Sequence, residues 1–493
     1  MKAHPISKSP QAKQFGTLIS LIVLLSFVLS ACAPAATPTA STTEVPVSTE
    51  AAPEPTVIEE ATEPPAPTES APEPTAPPTE EPQPLPAITI LINESPWLAG
   101  FEAMVNKYIE ETGNQVNLNR TPFNGMLEKS RNSVQASESE FDILTLNEQW
   151  YMQFYADDLV TPIKEIDPNF ELDPQIIEYE WATRWDPELG YSAESGELYG
   201  LPINGNIMLF FYRKDIFDAQ GISAPQTWAD VEAAAQKLNS ADMAGYVVRS
   251  NPPNWEFQAF LASYGGSIIE LDEQTGEWEV TLNSPEGLEA LNTWLKLGRE
   301  YGPANYADNG QAEMIALMAS GKVAQMVLVG AAAPDFDNPE KSVVIGNVAA
   351  VPVPGATPGS NATMSGIWVM GIPHNLPVER KQAALAFLNW ALSKDAQLFY
   401  AQSGAIPVRQ DVYEEMANDP KLGWWMKAMA DSTPFIHAQP RLAETPQIIE
   451  VIDRRIKQAL ISEITPEEAL LEAAKEIHKI LTDAGYKVKP LAE

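Results

Sequence analysis

The chain has 493 residues, with 31 Lys and Arg against 67 Asp and Glu, a formal net charge of −36 and a 44 % hydrophobic fraction that includes 12 Trp. That length suits two or three domains or one large two-lobed unit, and the apolar content supplies sizeable cores, which excludes wholesale disorder. The acidic balance argues against nucleic acid and against electrostatic adhesion to anionic lipid, and it suits a soluble protein with a neutral or cationic ligand.

The N-terminal segment carries an export pattern. Lys2, Lys8 and Lys13 form a basic start, and Leu18 to Leu29 form an apolar run. That run is too short to span a bilayer, which takes about 20 residues. It closes in Leu29-Ser30-Ala31-Cys32, which resembles a bacterial lipobox. The resemblance implies a signal peptide over 1–31 and a lipid anchor on Cys32. Cys32 is the only cysteine, so no intramolecular disulfide, Cys-based zinc site or CxxC redox pair can form. From Ala33 to Pro86 there is no Lys, Arg, Gly or aromatic residue, only Pro, Thr, Ala, Glu and a few others. Such a stretch cannot bury enough apolar surface to offset its ordering entropy, and its Pro content favours extended polyproline II. Residues 32–86 are therefore expected to be a disordered stalk behind the lipidated cysteine.

The rest, 87–493, opens on Ile88-Thr89-Ile90-Leu91-Ile92, the near-continuous apolar run of a buried parallel strand. Phe101, Met104, Val105 and Tyr108 come next at helical spacing, and Gly113 stops that helix. Gln115 to Asn119 reads as a second strand, Met126 to Val134 as a helix and Phe141 to Leu146 as a third strand. This β-α-β-α-β order predicts a parallel sheet with right-handed crossovers. Thr227-Trp228-Ala229-Asp230, Ser284-Pro285-Glu286 and Thr465-Pro466-Glu467-Glu468 are helix starts, with a capping side chain and early acids. Strands recur at Ala324–Val329, Asn347–Val351 and Gly366–Ile372. The fold class is α/β throughout. Trp228, Trp294 and Trp390 occupy apolar helix positions and are assigned to the core, while Trp278 on Glu-Trp-Glu-Val is assigned to the surface or a hairpin.

Enzyme signatures are absent. There is no Gly-x-Ser-x-Gly, HExxH, P-loop or GxGxxG pattern, and His374, His437 and His478 are isolated in sequence, so neither a catalytic residue nor a metal or cofactor is expected. Aromatics and amides instead fall where ligands bind in open α/β sheets, beyond the carboxyl ends of strands. Trp97 comes after the first strand, Asn147 and Glu148 after the third, and Asn204 and Asn206 after a glycine-broken, strand-like stretch. Trp255 and Glu256 open a helix, and Gly366 and Trp368 lie at the start of a strand. Flat apolar faces and planar polar groups together suit a sugar, whose C–H face stacks while its hydroxyls are hydrogen-bonded.

Several stretches together resemble the extracellular solute-binding proteins of bacterial ABC sugar importers, the group that includes maltose-binding protein. They are Gly196-Glu197-Leu198-Tyr199-Gly200-Leu201-Pro202, then Phe211-Tyr212-Arg213-Lys214-Asp215-Ile216-Phe217, Gly221 and Pro225-Gln226-Thr227-Trp228. Later come Ala319-Ser320-Gly321-Lys322, Val351-Pro352-Val353-Pro354-Gly355 and Ser403-Gly404-Ala405-Ile406-Pro407-Val408-Arg409. The similarity runs from about Ile88 to Leu481. It implies a two-lobed, type II periplasmic-binding-protein-like fold with hinge strands. The expected partition is 87–203 with 331–407 as one lobe and 204–330 with 408–493 as the other. The resemblance also implies that Trp255 stacks on sugar, that Gly366 to Trp368 faces the crevice, and that Arg409 either reaches ligand or braces its loop. One departure bears on the cargo. Where maltose-binding protein carries a stacking Trp, this chain has Gly330-Ala331-Ala332-Ala333, which argues against maltodextrin itself.

The implied activity is reversible capture by a lipid-anchored monomer outside the cell membrane and delivery to an ABC permease. Two other readings stay open from the residues alone. One is a surface-anchored carbohydrate hydrolase using two of the acids; the other is a receptor for a cationic solute such as a polyamine or iron. The globular part, with 28 basic and 57 acidic residues and a net charge of −29, would suit the latter.

Overall fold

A computed structural model describes residues 85–491; the export-like segment, Cys32 and nearly all of the Pro-rich stretch lie outside the described residues. The opening strand β1 (Ile88–Asn93) is buried along almost its whole length, as its apolar run predicts. Helix α1 (Leu98–Thr112) buries Phe101, Met104, Val105 and Tyr108 and ends at Gly113, whose φ of 75° lets its N–H close back on Ile109. Strand β2 (Val116–Thr121), helix α2 (Phe123–Gln135) and strand β3 (Ile143–Asn147) complete the expected unit. Both β2 and β3 pair with β1 in parallel.

Beyond β3 the chain divides between two sheets. Strand β4 (Gly200–Asn204) belongs to the first, but β5 (Met208–Arg213) begins a second one. Gly200 is required in β4 because a Cβ there would stand 2.4 Å from the Tyr155 hydroxyl oxygen and 3.2 Å from Val369 Cβ. Helix α3 (Trp228–Leu238) starts at a capping box between Thr227 and Asp230. Helices α4 (Asn254–Ser263) and α5 (Pro285–Tyr301) pack on each other and α6 (Gln311–Ala319) packs on β6 (Gln325–Val329), which with β7 (Val348–Val351) completes the second sheet on either side of β5, both antiparallel to it. Strand β8 (Trp368–Gly371) then returns to the first sheet, giving the orders β2-β1-β3-β8-β4 and β6-β5-β7. It lies antiparallel to both β3 and β4. Helices α7 (Thr445–Leu460) and α8 (Pro466–Asp483) pack on each other and against α5, and α8 starts at the predicted Thr465 cap.

Two expectations need correction, and a third resolves between its alternatives. Strand β7 lies in the second sheet, although residues 331–407 were assigned to the first lobe; its pairing with β5 is a long-range contact that no local pattern reports. Trp278 sits in the expected hairpin, Ile269–Asp272 with Glu277–Val280, where its ring is buried rather than on the surface. Tyr191 and Tyr486 close over it at centroid distances of 5.8 and 6.2 Å, and Val488 bridges its strand. Trp390 is only half-buried, because its indole N–H reaches out to Glu111 at 3.0 Å. Trp228 and Trp294 are in the core.

Candidate ligand-binding cleft

A cavity of about 450 Å³ lies between elements of the two sheets. The first sheet contributes Asn93 at the end of β1, Trp97 just beyond it, Phe123 at the start of α2, Asn147 at the end of β3 and Trp368 at the start of β8. These are the carboxyl ends of parallel strands, plus the antiparallel β8, whose first residue Trp368 pairs with Asn147. The second half contributes Arg249, Trp255 in the first turn of α4, Gln311 in α6, and Val329 and Ala331 at the end of β6.

The aromatic wall is a packed cluster. Trp368 lies 5.9 Å from Trp97, 6.1 Å edge-on from Phe123 and 6.2 Å edge-on from Trp150. On the opposite wall the Trp255 ring lies 5.7 Å from the Arg249 guanidinium carbon, a cation–π distance. Asn206 spans the gap between the halves. Its side-chain oxygen accepts from the Ala331 N–H at 3.3 Å, and its backbone carbonyl accepts from the Gly366 N–H at 2.8 Å. Beside the cavity, the Gln149 amide donates to the Asn254 carbonyl oxygen at 3.4 Å, so the two halves touch directly. Buried polar atoms at this cavity lack partners among the described residues: Asn93 Oδ1, Trp97 Nε1 and Arg249 Nε.

Trp97, Asn147, Asn206, Trp255, Gly366 and Trp368 are thus brought together as the sequence suggested. Glu148, Asn204, Glu256 and Arg409 are not. Glu148 and Glu256 come directly after residues that do face the cavity, but their side chains turn into the protein, where both are almost fully buried. Burial holds the Glu148 carboxyl well above the usual carboxylate range, and Ser365 and Gln439 beside it offset only part of that shift. Glu256 accepts from the Tyr246 hydroxyl at 2.8 Å, the Trp294 indole at 2.9 Å and the Arg249 backbone N–H at 2.5 Å. Those donors favour its ionised form, yet burial outweighs them and pushes it up to about 7. Asn204 is fully buried and accepts from the Tyr400 hydroxyl at 3.3 Å. The β4–β8 register slips between Trp368 and Val369, just beside it.

Arg409 braces its loop. Its guanidinium reaches Asp411 at 2.9 Å, Asp173 at 2.8 Å and the Leu392 carbonyl at 3.0 Å. Arg409→Ala should therefore cost about 1–3 kcal/mol in unfolding free energy while changing ligand affinity of the folded variant less than about twofold. A tenfold loss of affinity, read by calorimetric titration, would return Arg409 to the binding site.

Asn93, Phe123, Arg249 and Gln311 were not anticipated. Asn93 and Phe123 obey the same strand-end rule that selected Trp97 and could have been found with it. Arg249 and Gln311 lie in segments with no strand ending before them, so nothing local marks them. Ala331 lines the cavity where the sequence lacks a stacking ring. Among the described residues, no group of three His, Cys, Asp or Glu side chains is placed to hold a metal ion.

The fold agrees with comparisons with known proteins. Residues 103–423 match the family model described as bacterial extracellular solute-binding protein. A probable amino-acid ABC transporter periplasmic-binding protein of Sinorhizobium fredii is 24 % identical over 79 % of this chain and 88 % of its own length. A mannitol-binding protein of Pseudomonas aeruginosa is 25 % identical over 55 % of this chain and 60 % of its own. Among solved structures, an ABC transporter solute-binding protein of Thermotoga lettingae bound to α-D-tagatose superposes with a TM-score of 0.68, at 25 % identity, covering 80 % of this chain and 99 % of its own.

Proposed function

Because the chain belongs to the family of bacterial extracellular solute-binding proteins, and so is a binding protein rather than an enzyme, we propose that it captures a sugar or polyol in this cleft and passes it to an ABC permease. The observation that carries the reading is the cleft itself. Tryptophan faces stand on both walls, and the amides of Asn93, Asn147 and Asn206 lie between them. Rings present flat apolar surface to the C–H face of a sugar, and amides offer both a donor and an acceptor to its hydroxyls. The mannitol-binding and tagatose-bound relatives support the same class of ligand.

The mechanism is reversible closure without bond-making. The chain crosses between the sheets at 205–207 and again at 352–367, where Ile207 bridges Ser365. We take these paired crossings as the hinge, with one lobe around each sheet. A ligand that touches both walls binds the closed form better than the open one and shifts the population by that difference. Outside the cell membrane, a lipid on Cys32 and the 32–86 stalk would tether a monomer near its permease.

The test is thermal unfolding of the purified protein against hexitols, ketohexoses, maltodextrins, amino acids and polyamines. A ligand at about 100 times its Kd adds about 2.7 kcal/mol, which raises the midpoint by a degree or more in a protein of this size. A shift confined to sugars or polyols, with the ligand recovered intact, is the expected result. A shift confined to amino acids or polyamines, or a sugar recovered cleaved, would overturn the reading.

A further inference from the structure

Among the described residues two arginines are buried, and they are treated differently. Arg409, 4 % exposed, is paired with two carboxylates and a carbonyl. Arg249, 9 % exposed, lines the cleft and has no carboxylate within ion-pair distance among the described residues. Its one side-chain hydrogen bond there is a long 3.5 Å approach of Nη1 to Gln311 Oε1, and its Nε has no acceptor. The two acids nearest in charge are already committed. Glu256 is satisfied by Tyr246, Trp294 and a backbone N–H, and Asp453 accepts from the Asn254 backbone and side chain at 2.8–2.9 Å. Burial also raises both acids, to about 7 and about 6, which weakens what charge they offer.

An unpaired buried cation is costly, and a guanidinium has a fixed fork of donors suited to two oxygens at once. The acids at the cleft, Glu94 and Glu313, are solvent-exposed at its rim, and Glu313 is engaged in capping the Gly310 N–H. Despite a net charge of −36 overall, the deepest charged group in the cleft is therefore positive.

Resting on the carbohydrate reading above, we propose that the ligand carries an anionic oxygen group, a carboxylate or a phosphate monoester, on its sugar or polyol skeleton and that this group seats on Arg249. Trp255 walls the same corner and shields the pair from water, which strengthens a charge-assisted hydrogen bond. Arg249 is then the residue that sets specificity for charge, while the Asn and Trp residues recognise the skeleton.

Calorimetric titration of the purified protein with hexitols, the corresponding hexonates and the hexitol phosphates tests this on shared carbon skeletons. The expected result is at least tenfold tighter binding of one acid over its neutral hexitol, and the carboxylate and phosphate arms tell which anion is used. Arg249→Gln should reduce that preference below threefold. Arg249→Lys, which keeps the charge but not the fork, should retain more of a phosphate preference than of a carboxylate preference. Equal or tighter binding of the neutral hexitol would overturn the proposal and leave sugar capture standing. Undiminished acid binding by Arg249→Gln would also overturn it. Binding of no sugar, polyol or sugar acid would overturn both readings.

Discussion

Glu256→Ala is expected to lower the unfolding free energy by about 3–5 kcal/mol, read by denaturant titration. The substitution leaves the Tyr246 hydroxyl, the Trp294 indole N–H and the Arg249 backbone N–H without their acceptor in a region closed to water. Each stranded donor costs about 1–3 kcal/mol. The same carboxyl has a pH signature. Its folded-state value of about 7 lies above the ordinary 4.5, so the folded state holds a proton that the unfolded chain has released. The stability it contributes is full below about pH 4.5 and is lost as pH rises through about 7, a change on the order of 3 kcal/mol. Glu256→Gln has no such titration. Subtracting its stability from that of the wild type should give a difference that falls by that amount between about pH 4.5 and 8. A difference that stays flat across this range would mean that the three donors, and not burial, govern the carboxyl.

Trp255→Ala is expected to weaken sugar or polyol binding by about 2–3 kcal/mol, roughly 30- to 150-fold, since truncating a buried aromatic at the centre of a binding site has effects of this size. Trp255 is the aromatic face on the second wall of the cleft, and it also packs on Arg249, so its loss removes both a stacking surface and a shield. The matching control is Trp228→Ala. That ring stacks on Phe260 at 3.7 Å and donates to Ser263, away from the cleft. It should cost about 3–5 kcal/mol of stability with affinity unchanged. If the two variants lost affinity equally, the effect would be general loosening of the fold and not contact with the ligand.

Which site residues were legible in advance depends on distance along the chain. Asn147 could be chosen because it ends a strand and Trp97 because it follows one closely, and strand ends are marked by where apolar runs stop, whereas Trp368, at the start of β8, was pointed to by the family resemblance. The same rule proposed Glu148, the neighbour of Asn147, and it turned inward, while Asn204 turned toward Tyr400. Adjacent residues of an extended chain point to opposite faces, and strand position alone does not say which face meets the cleft. Glu256 failed for the helical equivalent: Trp255 and Glu256 are successive on α4, about 100° apart around its axis, so one faces the cavity and the other the core. Arg409 carried no geometric signal, since its partners Asp173 and Leu392 are remote in sequence.

The sequence by itself determined the α/β class, the opening β-α-β-α-β unit and the starts of α3, α5 and α8, because hydrophobic period and capping are set within a few residues. It also carried enough dispersed motif to point to the family. Only the tertiary structure decided that β7 joins β5, that β8 runs antiparallel beside β3, and that Arg249 reaches the cleft without a carboxylate. Those outcomes depend on which distant segments pack against each other. Burial and charge pairing are properties of that packing, so the local pattern of the chain does not contain them.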